Sequence, residues 1–302
     1  MKKLSFVQIV LIATVLCFLV SYSFSVVGKL NQPDSVYPFS VFKRYSDQGQ
    51  NYVEIKNRAS LPRGAVGEIE IYTKATEIHV EASDGNAIEL RLDGKFLPLK
   101  DPKEQILKYE IKGNKLLVRT DEGSQSDGLE FGDNSARGTL TILIPKSIVS
   151  ARLHSVSGKI TGEDLSLAKL ELETISSEVN FDEVKVDELS FKTVSGECSF
   201  SGQFQTLSGN SVSGDVEISS QASAPNIKLQ SVSGDIEVLY QTKPDTGIEF
   251  HTTSGSIRIS KAVGLETEAS GTFSRVLGTG KGMLQIKTTS ASVHLDLEQT
   301  AP

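Results

Sequence analysis

From about residue 151 to 298, apolar and polar side chains alternate around a recurring pivot motif. The motif runs SVSGKI from Ser155, TISSEV from Thr174, TVSGEC from Thr193, SVSGDV from Ser211, SVSGDI from Ser231, TTSGSI from Thr252 and TTSASV from Thr288. The pivots are Gly158, Ser177, Gly196, Gly214, Gly234, Gly255 and Ala291, spaced by 19, 19, 18, 20, 21 and 36 residues. The last gap holds a weak copy, EASGTF from Glu268, with its pivot at Gly271. Apolar side chains stand seven and five residues before each pivot, and two and four after it. Around Gly234 these are Ile227, Leu229, Ile236 and Val238, and around Ala291 they are Leu284, Ile286, Val293 and Leu295. Charged and polar residues fill the positions between. Period-two alternation marks strands with one buried and one solvated face.

A unit of two short strands cannot close its own core, so successive units must stack. Nineteen extended residues trace a perimeter of about 60 Å, one turn of a β-solenoid. The expected fold is therefore all-β, a β-solenoid or β-helix of about eight coils, each near 19 residues, over 151–298. The pivots are expected to be Gly because a chain turning between strands enters the left-handed region cheaply only there. Around Gly271, Gly264 and Glu266 occupy positions where apolar residues belong, so this copy, counted as one of the eight, departs furthest from the pattern. Residues 51–150 also alternate, in GEIEIYT, EIHVEAS, AIELRLDG, KLLVRT and GTLTILIPK, but with irregular spacing. They are expected to supply first coils or a cap, since an open terminal coil is an unpaired edge.

The start of the chain is different material. Lys2 and Lys3 precede Leu4 to Gly28, a stretch without charged side chains. This is an export segment, either a signal peptide or a membrane anchor over 1–28, and it is long enough to span a bilayer as a helix. The two lysines place the N-terminus inside and the body outside the cytoplasmic membrane. If the segment is cleaved, the protein is released or periplasmic. Residues 29–50, with Pro33 and Pro38 and no periodicity, are expected to be a tether. Cys17 follows Leu16, not the small residue a lipoprotein signal needs, so it counts as one more apolar position.

Composition sharpens this picture. A formal net charge of −7 argues against a nucleic-acid partner. Residues 151–302 hold 12 Lys or Arg against 20 Asp or Glu, while the remainder holds 19 against 18, so the acidity belongs to the repeats. Glu178, Glu197, Asp215 and Asp235 share the column after the pivot, and Glu217 and Glu237 the column two further on. Like charges on adjacent coils, about 5 Å apart, are unfavourable unless bridged. Asp215, Glu217, Asp235 and Glu237 are thus the candidate ligands for a divalent cation such as calcium, against the plainer reading of a solubilising outer face. No other cofactor is expected. Cys198 occupies a column otherwise filled by Val and Ile and is read as a core residue rather than a nucleophile. None of His79, His154, His251 and His294 forms a short-range metal pair, and only His294 is assigned to the outward register near polar groups. They are read as solvated or capping residues.

The T/S-V-S-G-D/E-I/V signature at Gly196, Gly214 and Gly234, and ILIPK (Ile142–Lys146) leading into HSVSGKI, resemble a bacterial family of exported β-strand-repeat adhesin domains of unknown function. The resemblance covers about 65–298. It implies a β-solenoid, an envelope location and an adhesive or envelope-stress role, and it carries no catalytic residues. The expected function is a non-enzymatic envelope solenoid presenting an interaction surface to an envelope protein, a glycan or another copy. The alternatives are a self-assembling envelope scaffold and, with less in its favour, a carbohydrate-active β-helix enzyme. No carboxylate pair stands out from the repeat to support catalysis.

Overall fold

The computed structural model describes residues 39–47, 50–62, 64, 66–96, 106–120, 137–264 and 266–297. The export segment at 1–28 lies outside these residues. Among them, no helix is long and apolar enough to cross a membrane. The strands are β1 (Phe39–Asp47), β2 (Gln50–Pro62), β3 (Glu68–Thr73), β4 (Glu77–Ser83), β5 (Ala87–Phe96), β6 (Leu107–Lys112), β7 (Lys115–Thr120), β8 (Arg137–Pro145), β9 (Ser150–Ser155) and β10 (Ile160–Glu163). The repeats add β11 (Ser166–Thr174), β12 (Val179–Thr193), β13 (Cys198–Ser211), β14 (Val216–Ser220), β15 (Asn226–Ser231) and β16 (Ile236–Tyr240). The chain ends with β17 (Thr246–Ile259), a 3-10 turn at Lys261–Val263, β18 (Thr267–Val276), β19 (Gly282–Thr288) and β20 (Ser292–Leu297).

Residues before and after the pivots form two parallel ladders. The first is ordered β7–β3–β9–β11–β12–β13–β15–β19–β17. The second is ordered β8–β4–β10–β12–β13–β14–β16–β20–β17. The long strands β12, β13 and β17 serve both. The side chains between the ladders make one continuous apolar core. In the middle of it Phe181 and Phe191 pack against Phe200. The all-β, solenoid-like stack expected from the repeat is present.

Three features differ from the expectation. First, β1 and β2 pair antiparallel from Phe39↔Arg58 to Asp47↔Gln50, so much of the stretch assigned to a tether is strand. Second, the region 51–150 is both coil and cap. The pairs β3/β4 and β7/β8 add two layers to the seven that residues 151–298 form, where eight coils were expected. Antiparallel β6 closes the first ladder against β7, and antiparallel β5 closes the second against β8.

Third, the layers do not stack in chain order. The weak copy at Gly271 is no coil: β18 runs antiparallel to β17 across both ladders and caps the stack. The chain then turns back, and β19 and β20 insert between the β15/β16 layer and β17. Four apolar residues of this inserted layer, Leu284, Ile286, Val293 and Leu295, are at most 2% exposed. The sequence explains why β18 was excluded: Thr267, Ala269 and Gly271 face the side where Ile and Val stand in true coils.

The pivot signature has a structural cause that the left-handed argument missed. Among the pivots only Gly196 and Gly271 have positive φ, at 108° and 77°. The left-handed residues of the repeat instead lie six positions past the pivot: Asp164, Glu183 and Gly202, in three successive layers. The pivots themselves are Gly because the layers touch there. A methyl group on Gly214 would overlap the carbonyl oxygen of Gly196, and one on Gly234 that of Gly214. The Ser or Thr three residues earlier caps the corner. The N–H groups of Gly158, Gly214, Gly234 and Gly255 donate to Ser155, Ser211, Ser231 and Thr252 at 2.8–3.1 Å.

The Ser just before the pivot stitches layers together. Its hydroxyl donates to a carbonyl of the preceding layer: Ser176 to Val156, Ser195 to Ile175, Ser213 to Val194 and Ser233 to Val212, at 3.1–3.4 Å. The series continues with Ser290 to Val232 and Ser254 to Thr289, which places the last repeat in sequence between the two before it.

Candidate functional site

The predicted cation ligands are not gathered into a cage. Asp215 and Asp235 sit at the corner, where each carboxylate accepts a backbone N–H from the next layer. Asp215 Oδ1 takes that of Asp235 at 2.8 Å, and Asp235 Oδ1 that of Ser292 at 2.9 Å. Glu217 and Glu237 stand opposite one another in β14 and β16. Among the described residues no group of three or more His, Cys, Asp or Glu is arranged to hold a metal ion. The acid column after the pivot is thus tied into the stacking. Elsewhere in that column Lys159 pairs with Glu178 at 2.6 Å.

Cys198 is 1% exposed, and burial, helped by the neighbouring Glu197 charge, pushes its thiol up to about 12. A thiolate-directed reagent is therefore expected to leave Cys198 unmodified at pH 8 in the folded protein. Labelling should begin only with denaturant, and mass spectrometry of the peptide checks it.

All four histidines face polar partners, where the sequence reading placed only His294 on the outward register. His79 bonds Thr161 and Glu81, His251 bonds Thr272, and His294 lies 3.6 Å from Asp296. The important one is His154, on β9 and 5% exposed. It belongs to a cluster that the parallel register assembles on the outer side of the first ladder. One row carries Glu70, Arg152, Glu171, Ser190 and Ser208. The next carries Tyr72, His154, Glu173, Lys192 and Asn210.

Within the cluster, Glu70 accepts from Tyr72 Oη at 2.5 Å and from Lys115 at 2.9 Å. His154 Nδ1 lies 3.2 Å from Glu173, whose other oxygen accepts from Lys192 at 2.9 Å. The imidazole Nε2 is 3.8 Å from Glu70, an ion-pair separation, and makes no hydrogen bond. Arg152 bonds Glu171, and Lys169 reaches the same carboxylate at 2.7 Å. The Tyr72 and His154 rings stack at 4.4 Å, 2° from parallel.

These contacts set the ionisation states. The His154 imidazole, then Tyr72 and Lys115, hold Glu70 far below the usual carboxylate range despite burial. His154 and Lys192 hold Glu173 down near 2. Burial alone would depress His154, but Glu173 and Glu70 more than offset it, so its pKa is raised. Because its folded value lies above the unfolded value of about 6.5, His154 stabilises the fold fully below that value, and the contribution fades as pH rises through the folded pKa. The Glu173 contribution is present above about pH 4.3 and is lost as pH falls towards 2. Urea midpoints of the native chain and His154→Gln should accordingly differ more at pH 5 than at pH 9. Equal differences at the two pH values would remove this account.

The rows border an open groove of about 460 Å³, whose lining includes Glu70, Arg152, Glu173, Ser190, Lys192 and Asn210. Sequence reasoning missed it because its residues come from five strands between positions 70 and 210. The only local trace was the outward Glu70 and Tyr72 in GEIEIYT.

A stack of parallel strands with capped ends and a rowed polar face defines the class: a β-solenoid-like repeat domain. The chain belongs to the family described as Toastrack DUF4097, whose model matches residues 66–203 and 151–296. No curated protein matches the sequence. Among solved structures, the chain is similar to a candidate cell adhesion protein of Clostridium sporogenes, at 12% identity and a TM-score of 0.42, covering 81% of this chain and 100% of that one. It is similar to a candidate adhesin of Bacteroides fragilis, at 13% and 0.41, covering 79% and 95%. It is also similar to a candidate lipid-binding protein of Parabacteroides distasonis, at 16% and 0.44, covering 81% and 97%.

Proposed function

We propose that the chain is a non-enzymatic envelope protein of the adhesin type, exported through its N-terminal segment and held at the cytoplasmic membrane by it, or released on cleavage. Its work is to present the outer side of the first ladder to a partner in the envelope. One observation carries this reading: side chains from stacked strands stand there in straight rows, pinned by ion pairs, around a broad open groove. Such a surface offers many fixed polar contacts without the enclosed cavity a small substrate needs. The test is retention of separated protein and polysaccharide fractions of a bacterial envelope on the immobilised chain. Lys192→Glu with Asn210→Glu should weaken retention at least tenfold, and Arg258→Glu, on the other ladder, should not. Equal retention by both variants overturns the assignment to this face.

A self-assembling scaffold is the second reading, favoured by β18. It pairs with β17 along one edge, and no other described strand covers its far edge. Light-scattering mass that grows with protein concentration would support end-to-end association, and a constant monomer mass would dismiss it.

A further inference from the structure

We infer that the groove on the first ladder binds a neutral glycan, an inference that rests on the interaction-surface reading above. Charge is the first argument. Glu70 is matched by Lys115 and Arg152, Glu171 by Arg152 and Lys169, and Glu173 by Lys192 and His154. Among the residues that line the groove itself, the three carboxylates Glu70, Glu171 and Glu173 stand against Arg152, Lys192 and His154, so with His154 protonated the lining is balanced and offers no large surplus to hold a polyanion or a polycation. The lining also includes the uncharged, half-buried Ser190 and Ser208 and the exposed Asn210. Hydroxyl and amide groups both donate and accept, the carboxylates accept, and Lys192 donates. Sugar hydroxyls have the same mixed character and no charge.

Geometry is the second argument. Successive rungs of the ladder repeat at about 4.8 Å. An extended pyranose chain advances by a similar step, so a chain laid along the stack places about one ring at each rung. The groove crosses strands that are hydrogen-bonded on both sides, so an added peptide strand would find no free backbone groups there. Glu173 is gripped by His154 on one side and Lys192 on the other, so it is positioned before any ligand arrives.

The experiment is calorimetric titration of the full chain with cellohexaose, maltohexaose and chitohexaose, and with dextran sulfate and polylysine as charged probes. At least one neutral oligosaccharide should bind saturably with little salt dependence. Affinity should fall at least tenfold in Ser190→Gln with Ser208→Gln, which fills the groove, and also in Asn210→Ala, a change at an exposed position. Glu237→Gln should bind as the native chain does. Binding of none of the three neutral sugars, binding of the charged probes alone, or equal sugar binding by the filled groove overturns the inference. If the filled-groove variant still retains envelope material as the native chain does, the glycan assignment fails and the interaction surface stands. If the native chain retains no fraction, the broader reading fails with it.

Discussion

Gly214→Ala is expected to cost about 3 kcal/mol and to lower the melting temperature by about 6–12 °C, although it adds one methyl group. The reason is what the methyl would meet. At the pivot the corners of adjacent layers are in backbone contact, and the new Cβ would overlap the carbonyl oxygen of Gly196. A side chain can rotate away from a clash, but here the opposing atom is backbone. The Gly196 corner is held in turn by Ser195, which donates to Ile175 in the layer before. Relief therefore needs two layers to separate, straining ladder bonds on both sides. Gly67→Ala is the control, because the nearest atom to a methyl there is Val149 Cγ2 at 3.8 Å. It should change stability by no more than about 0.5 kcal/mol. Thermal unfolding of the two variants checks the contrast, and similar losses would mean the pivots are not contact points.

Ile286→Ala is expected to be as damaging as a substitution in the middle of the core, at about 3–4 kcal/mol. By position in the sequence this is unexpected. Ile286 lies 16 residues before the last residue of the sequence, a region where fraying usually makes truncations cheap. The stack reverses that rule. Ile286 is 1% exposed and pairs in register with Leu229 on one side and Phe250 on the other. Its removal leaves a cavity between two packed layers, with no solvent edge towards which the site can collapse. Hydrogen exchange should show the same thing: amides of β19 should be as protected as those of β15. A cost near 1 kcal/mol with rapid exchange in β19 would describe a frayed terminal strand instead.

The sequence made the strands and the inward-facing columns legible because period-two alternation and the SVSGD pattern are local. Ile227, Leu229, Ile236 and Val238, picked out around Gly234, are all in the core. The same logic counted EASGTF among the eight coils despite Gly264 and Glu266 in its apolar columns, and the structure makes it the antiparallel β18 instead. Layer order was not legible, since the motifs TTSGSI and TTSASV fit equally well against SVSGDI, and nothing local says which lies next to it. That choice depends on the β18 reversal and the turn after it, where the backbone N–H of Gly280 and the hydroxyl of Thr279 donate to Asp245. The pivot glycines were found for the wrong reason, because interlayer contact leaves no trace in a single repeat. The groove cluster was hidden for the same cause: Glu70, His154, Glu173 and Lys192 meet only through the register of four strands.

The order of layers underlies both the rowed face and the buried last repeat, and disulfide trapping tests it most directly. Gln230 pairs in register with Lys287, and Lys287 with His251, so Gln230 and His251 lie two layers apart. Adjacent parallel strands bring Cα atoms to about 4.8 Å, within disulfide reach, whereas two layers put them near 10 Å, beyond it. Mild oxidation should therefore cross-link Gln230→Cys with Lys287→Cys and leave Gln230→Cys with His251→Cys reduced. A cross-link in the second pair and none in the first would show coils stacked in chain order, and would contradict the inserted C-terminal layer.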